Sequence, residues 1–464
     1  MFSKESYILR RIELQRRIES GVILLLGNAD APFNYPNNAY AFRQDSTFLY
    51  YFGLNMPSLA AIIDIDENRT ILFGDDFTVD DIIWTGPQPS LAELAEGVGV
   101  VESRPFAALF DYCNTALEAK RKLHYLPPYR GESKILLSKL VGKPIEALHD
   151  GISLDLMFAV AEMREVKSDE EIEALERAFN IGYEMHMAAM KMCREGVIER
   201  EIAGVMEGIS RRDGLGCSFP TIATQHGETL HNLRSDGRLE NGRLMLVDAG
   251  AESLEHYCSD HTRTYPVSGL FTARQRDIYN IVLRAQREAP AAMRAGAMYF
   301  DEVHTRALRM LAEGLHDVGL ITASADDAVA SGAMTLFMPH GLSHGLGMDV
   351  HDCEAIGERS FNFAPFRERA IASATCIYRA GWRLHENTVM SNEPGIYFIP
   401  ALIDKCKAEG LYKGVVNYAK LEEYRDFGGI RIEDDIVVTK DGGRIIGSRR
   451  LPITVEELEA VVGK

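Results

Sequence analysis

The run Leu244-Met245-Leu246-Val247-Asp248-Ala249-Gly250 reads as an apolar strand ending on a carboxylate, and it constrains the fold more than any other part of the chain. Twelve positions after Asp248 comes Asp260, in Ser259-Asp260-His261-Thr262-Arg263-Thr264-Tyr265-Pro266. Alternate side chains of a strand share a face, so Asp260, Thr262 and Thr264 point the same way. A hairpin joining the two runs brings Asp248 and Asp260 together, and adjacent carboxylates repel unless a proton or cation lies between them. The pattern recurs in the strand read over Ile430–Val438, where alternation puts Arg431, Glu433 and Asp435 on one face. Glu393, in Met390-Ser391-Asn392-Glu393-Pro394-Gly395, ends another strand at a Pro-Gly turn. Any one of these carboxylates reads as a solvated strand end or half of an ion pair. Four together do not, because buried charge is costly without a partner and Arg431 neutralises only one.

Histidines supply the remaining clue. His340, His344 and His351 fall within twelve residues of a glycine-rich stretch, where glycine permits close backbone approach and positive φ. The pattern is not H-E-x-x-H, and the glycines oppose a helix, which argues against a mononuclear zinc protease of that type. Four carboxylates and one imidazole form an oxygen-rich donor set that suits Mn²⁺, with Co²⁺ or Zn²⁺ as substitutes, better than a thiolate-seeking metal. Four negative charges balance two divalent cations. Two metals about 3.5–4 Å apart share a bridging water, lower its pKa and clamp a tetrahedral oxyanion. The implied reaction is hydrolysis.

A chain of 464 residues exceeds one ordinary core, so two or three domains are expected. Short β-rich runs at Val22–Leu26, Ala60–Ile65 and Thr70–Phe73, then helices near 90–97 and 104–122, read as a small α/β domain. A long helix starts at Ser168, whose pairing with Glu171 is a capping-box pattern, with Gly196 as its stop. Further helices are read at Thr272–Arg287 and Phe300–His316, among strands at Leu244–Val247, Thr262–Val267 and Thr388–Ser391. Helices alternating with mostly antiparallel strands indicate an α+β domain rather than a doubly wound parallel sheet. The boundary falls at 155–167, giving domains over residues 1–160 and 161–464.

The formal charge of −18, from 50 basic and 68 acidic residues, argues against a nucleic-acid partner. The first apolar run, Val22 to Leu26, is too short for a secretory signal or a membrane span. Seven cysteines without paired spacing fit a reducing compartment, and cytoplasm is the expected location.

The ordered set Asp248 (LVDAG), Asp260 (SDHTRTYP), His344 (HGLSHGLG), Glu393 (NEPGIYF) and Glu433 (GGIRIEDD) resembles the pita-bread metallopeptidases, in particular their proline-specific branch of aminopeptidase P and prolidase. The likeness spans nearly the whole chain. Phe42-Arg43-Gln44-Asp45-Ser46-Thr47-Phe48 resembles a signature of the N-terminal domain, and Arg164-Glu165-Val166-Lys167-Ser168 resembles the entry into the catalytic domain. The resemblance implies that the five residues hold two metals, commonly manganese. It implies that His340 and His351 stabilise the tetrahedral intermediate, and that His231 handles the leaving or N-terminal side. Glu393 would also exchange protons with the bridging water, and Arg431 would orient the carboxylates. The N-terminal domain would narrow access and mediate assembly into a homodimer or homotetramer. The substrates would be small peptides with proline in second position.

Some positions depart from the family pattern. Asn232 stands where Tyr is usual, Gln225-His226-Gly227-Glu228 where a Gly-Asn pair is common, and Ser391-Asn392 in place of Thr-Val or Thr-Ile. None removes a ligand. Two features lean toward a dipeptidase over an aminopeptidase. The forty-residue stretch between Glu393 and Glu433 resembles the prolidase insertion, and Arg379 falls where prolidases place a carboxylate-binding arginine, with Arg383 an equal candidate. Methionine aminopeptidase shares the metal set but lacks the extra N-terminal domain. A non-catalytic relative, or a metal-free creatinase-like hydrolase, would be marked by lost ligands.

Overall fold

The computed structural model describes residues 2–356 and 382–464, so Arg379 lies outside the described residues. The chain divides into two compact units, one ending at Met163 and the next beginning at Arg164, with the short stretch after Asp352 falling with the first.

The first unit is built on a five-stranded sheet in the order Glu102–Pro105, Arg69–Gly74, Ala60–Asp64, Val22–Leu26, Leu123–His124. The three central strands pair antiparallel and the two edge strands add parallel. Val22, Leu24, Ile62, Ile71 and Phe73 pack against Leu109, Cys113, Leu137 and Leu140. The helix expected from residue 104 starts later, at Ala108–Glu118, because residues 104 and 105 belong to an edge strand. Pro105 is tolerated there since an edge strand can spare a donor. The Phe42–Phe48 signature has a structural use. The fully buried Gln44 accepts from Asn28 N–H and Asp45 N–H and donates to Met56 O, while Asp45 caps the helix Ser46–Phe52.

The second unit carries the long helices. Ser168 and Glu171 form the capping box that starts Asp169–Met192. That helix ends before Gly196, which instead takes φ +84° in the turn beyond. Ala273–Glu288 and Thr305–Asp317 follow, the latter preceded by a π-helical turn at Tyr299–His304.

Small antiparallel sheets complete this unit. Leu244–Ala249 lies between His261–Pro266 and Ile222–Thr224, and Asp434–Val438 lies between Val389–Asn392 and Gly443–Ile445. A two-stranded sheet pairs Gly395–Tyr397 with Gly429–Arg431. The single strand expected over Ile430–Val438 is therefore two strands in two sheets. The chain leaves one sheet at Ile432 and enters the other at Asp434, and between them Glu433 bridges to Thr262 of a third. All eleven of the residues in Leu244–Ala249 and Asp434–Val438 are buried, so the carboxylates they carry sit in the core rather than at solvated ends.

Candidate metal centre

Antiparallel pairing sets Asp248 opposite Thr262, with Asp260 just before the start of the partner strand. The connection is not a tight hairpin, since Ala251–Glu252 leaves to pair with Gly216–Cys217. The two stretches that carry Asp248 and Asp260 still touch. A Cβ at Gly250 would lie 1.7 Å from Ser259 O, so only glycine fits this crossing.

One ligand atom each from Asp260, His344 and Glu433 lie within 4.8 Å of one another, and all three residues are buried. His344 Nε2 is 3.3 Å from Asp260 Oδ2 and 3.6 Å from Glu393 Oε1, while its Nδ1 faces Gly345 O at 3.1 Å. Glu433 Oε2 accepts from Thr262 Oγ1 at 2.6 Å, and Glu393 Oε1 accepts from Ser391 Oγ at 3.2 Å. Asp248 stands outside the tight trio, its Oδ2 accepting from Arg431 Nη2 at 2.5 Å. Among the described residues, Asp248 Oδ1 and Asp260 Oδ1 find no hydrogen-bond partner, and both are buried. Orphaned carboxylate oxygens are costly in a core, and an oxygen-rich donor set with one imidazole suits a divalent cation such as Mn²⁺ or Zn²⁺.

Electrostatics support the same fit. Burial, then the charges of Glu433, Asp248, Asp435 and Glu393, push the Asp260 carboxyl well above the usual range. Burial, then Glu393 and Asp248, push Glu433 well up against the opposing pull of Arg431 and Thr262. Burial also lifts Glu393 to about 7, although Arg431 and His351 oppose it. A cation shared among these groups would reverse all three shifts.

Residues 173–440 match metallopeptidase family M24, and residues 7–125 match the aminopeptidase P N-terminal domain. The chain belongs to metallopeptidase family M24. It is 31% identical over 470 residues to the Xaa-Pro dipeptidase of Homo sapiens, with 98% of this chain and 91% of that protein covered. A probable Xaa-Pro aminopeptidase of Sordaria macrospora is 29% identical, with 96% and 91% covered. Escherichia coli aminopeptidase P with the inhibitor Pro-Leu superposes with a TM-score of 0.80 at 28% identity, covering 99% of this chain and 98% of that one. The M24 fold is thus the aminopeptidase P-like one, a pita-bread metallopeptidase domain preceded by the N-terminal domain.

Around the M24 carboxylates the remaining site residues fall into a chain of contacts. Arg431, buried, donates from Nε to Thr262 Oγ1 at 3.1 Å and from Nη1 to Tyr397 Oη at 2.8 Å. Burial disfavours its charge, but Tyr397, Asp248, Glu433 and Glu393 more than offset that and keep it protonated. Tyr397 Oη lies 2.8 Å from His340 Nε2. Because the phenol oxygen already accepts from Arg431, its proton points to His340 Nε2, leaving Nδ1 as the protonated nitrogen facing Gly341 O at 2.8 Å. Burial and the Arg431 charge bring His340 down to about 3, so it is neutral. His351 lies face to face with His344, centroids 3.9 Å apart and planes at 14°. His231 is exposed on the loop after Ile222–Thr224, near enough for its charge to lower the His340 pKa. Asn232 beside it donates to Thr224 Oγ1 at 2.9 Å, which holds the loop from within. Arg383 is exposed and donates to Gly296 O.

Four residues around the candidate ligands have positions that sequence reasoning did not assign. Thr262 was legible, sharing a strand face with Asp260. Asp435, which accepts from Asp260 N–H at 3.0 Å, also carried a signal as a carboxylate in an apolar strand. Tyr397 and Ser391 carried none beyond their nearness to Glu393, since their partners come from other elements.

Proposed function

We propose that this protein is a two-metal exopeptidase that cleaves the peptide bond preceding proline, with Xaa-Pro dipeptides as the first substrate class. The observation that carries the reading is the buried meeting of Asp260, His344 and Glu433 beside Glu393 and Asp248, with two carboxylate oxygens that find no partner among the described residues, in an M24 core. Asp248, Asp260, His344, Glu393 and Glu433 would hold the metals, with Mn²⁺ favoured by the oxygen-rich donors. Bound there, the cations supply Lewis acidity and lower the pKa of a coordinated water toward neutrality.

The chain's own residues do the rest. Glu393 accepts a hydrogen bond from Ser391 and stays partly exposed, so it would take a proton from the attacking water and return it to the proline nitrogen. Arg431 holds Asp248 by a hydrogen bond and, through Tyr397, fixes the tautomer of His340. His351 and His231 would donate to the substrate carbonyl and the peptide's N-terminal side, where preorganised hydrogen bonds stabilise developing charge, and His340 would join them by turning its Nδ1–H from Gly341 O to the substrate.

Support for the dipeptidase reading comes from the human Xaa-Pro dipeptidase relative and from the long stretch between Glu393 and Glu433, which holds the helices Pro400–Ala408 and Tyr418–Leu421. The second reading, an Xaa-Pro aminopeptidase acting on longer peptides, draws on the match over residues 7–125 and on the aminopeptidase relatives. Hydrolysis of Ala-Pro and Ala-Pro-Ala by Mn²⁺-loaded protein, with and without chelator, separates them. Chelator-sensitive cleavage of Ala-Pro alone supports the dipeptidase, and preference for the tripeptide supports the aminopeptidase. Cleavage of neither defeats both.

Self-association as a homodimer or homotetramer belongs to the same reading. The helix Val79–Thr85 has no buried residue, and Ile83 and Trp84 are 69% and 87% exposed. An apolar helix face this open is expected to be covered. A cytoplasmic location is part of the proposal as well; no helix among the described residues is long and apolar enough to cross a membrane.

A further inference from the structure

The segment Arg164-Glu165-Val166-Lys167, which opens the second unit, has no part in the chemistry above, yet three of its side chains are buried and charged. Arg164 and Lys167 are each 3% exposed and Glu165 is 7% exposed. Arg164 Nη2 donates to Asp352 Oδ1 at 2.5 Å and to Asp349 Oδ2 at 3.0 Å, and Lys167 Nζ lies 3.3 Å from Asp352 Oδ2. Asp352 is itself 4% exposed and immediately follows His351. Its backbone N–H donates to Gly345 O, and a Cβ at Gly347 would lie 2.5 Å from its carboxylate. Both cations therefore converge on one carboxylate at the end of the turn 344–352. That turn carries His344 at one end and His351 at the other, with their rings stacked.

We propose that Arg164 and Asp352 are positioning residues that fix His351 over His344 for catalysis. This rests on the reading of His351 as a substrate-side donor. Two ion-paired cations on a single carboxylate are far more than a surface turn needs, and the excess falls on the residue next to His351. His351 itself is exposed, and its ring stacks on that of His344. Misplacing a catalytic group by about 1 Å costs on the order of 10²-fold in rate, which gives such an anchor a purpose.

The test is a double-mutant cycle on Mn²⁺-loaded full-length protein, with kcat, KM, bound metal and amide exchange over 346–352 read for each variant. Asp352→Asn is expected to lower kcat by roughly ten- to a hundredfold, to leave KM and metal content near wild type, and to speed exchange in the turn. In the His351→Ala background the same substitution should change kcat less than about twofold. Should Asp352→Asn not fold, Arg164→Lys, which keeps the charge and loses the guanidinium fork, serves in its place with the same expectation. Equal losses in both backgrounds would overturn the proposal, as would a fall in kcat that tracks lost metal. Wild-type kcat in His351→Ala alone would instead remove the reading of His351 on which the proposal rests, and that result is visible without any change at Asp352.

Discussion

Arg263 Nη2 donates to Asp434 Oδ1 at 2.7 Å, and Nη1 of the same guanidinium donates to the carbonyl of Glu433 at 2.7 Å. Both side chains are almost wholly buried, at 1% and 4% exposed, so the pair is sealed behind a proposed metal ligand. Removing one member strands the other. Arg263→Ala should cost about 3–5 kcal/mol in urea unfolding. The double variant Arg263→Met/Asp434→Leu should lose less than either single change, because no charge is left unpaired. Mn²⁺ affinity should fall in the single variant, since the Glu433 backbone loses its anchor.

Asp260→Asn separates the carboxylate's two effects. Hydrolysis should drop to the assay floor. The chelated variant should melt no lower than chelated wild type, because the Asp260 charge is opposed by burial and by Glu433 and Asp248. Calorimetry with and without Mn²⁺ checks this. Wild type should gain stability with the metal by mass action, and the variant should gain much less. A large metal-induced shift retained in the variant would exclude Asp260 as a ligand.

The chelated protein should lose stability as pH rises. Asp260 and Glu433 are held well above their ordinary range by burial and mutual repulsion, and Glu393 is lifted to about 7. The unfolded chain ionises these groups first, from about pH 4, so the folded state binds more protons in between. Their contribution is full below the unfolded pKa and, for Glu393, is lost by the time pH has risen through about 7. Metal binding needs the ionised carboxylates, so the stabilisation gained from Mn²⁺ should grow over the same window. Denaturant midpoints between pH 4 and 8, with and without metal, should show the two trends crossing.

Trp84→Asp should dissociate the proposed homodimer or homotetramer. Trp84 has no packing role within its own chain at 87% exposure, so a charge there is expected to leave the protomer's thermal stability within about 0.5 kcal/mol. Light scattering after size exclusion reads the result. An unchanged oligomer mass would move the interface elsewhere.

Much of the candidate site was legible because carboxylates gathered in apolar strands are a local contradiction that a cation or an ion pair must resolve, as Arg263 does for Asp434. Asp248 and Glu433 stand out in that way, Asp260 by its place twelve residues after Asp248 on the next strand, and the glycine-rich run around His344 marks a turn of close approach. What was not legible depends on partners far away in sequence. Tyr397 looks like an ordinary strand aromatic until Arg431 and His340 meet on its hydroxyl. The break at Ile432 and Glu433 leaves one mark in the sequence, Asp434, which falls on the face of Ile430, Ile432 and Ile436 and interrupts the alternation without showing where the chain goes. Only Tyr397–Gly429 pairing on one side and Ser391–Asp435 pairing on the other reveal a change of sheet. The misread start of the Ala108–Glu118 helix has the same origin: Arg104 and Pro105 become a strand only because Phe73 and Gly74 lie alongside them.

That change of sheet sets a limit on how the gene can drift. A strand within one sheet absorbs an inserted residue as a bulge, and its far end still finds a partner. Between Arg431 and Asp434 there is no such slack. Each flank is registered to a different sheet, and one added or lost residue would turn Glu433 away from Thr262 while leaving both sheets formally intact. Length changes should therefore accumulate between Tyr397 and Gly429, where surface helices can absorb them, and be purged from the six residues that follow.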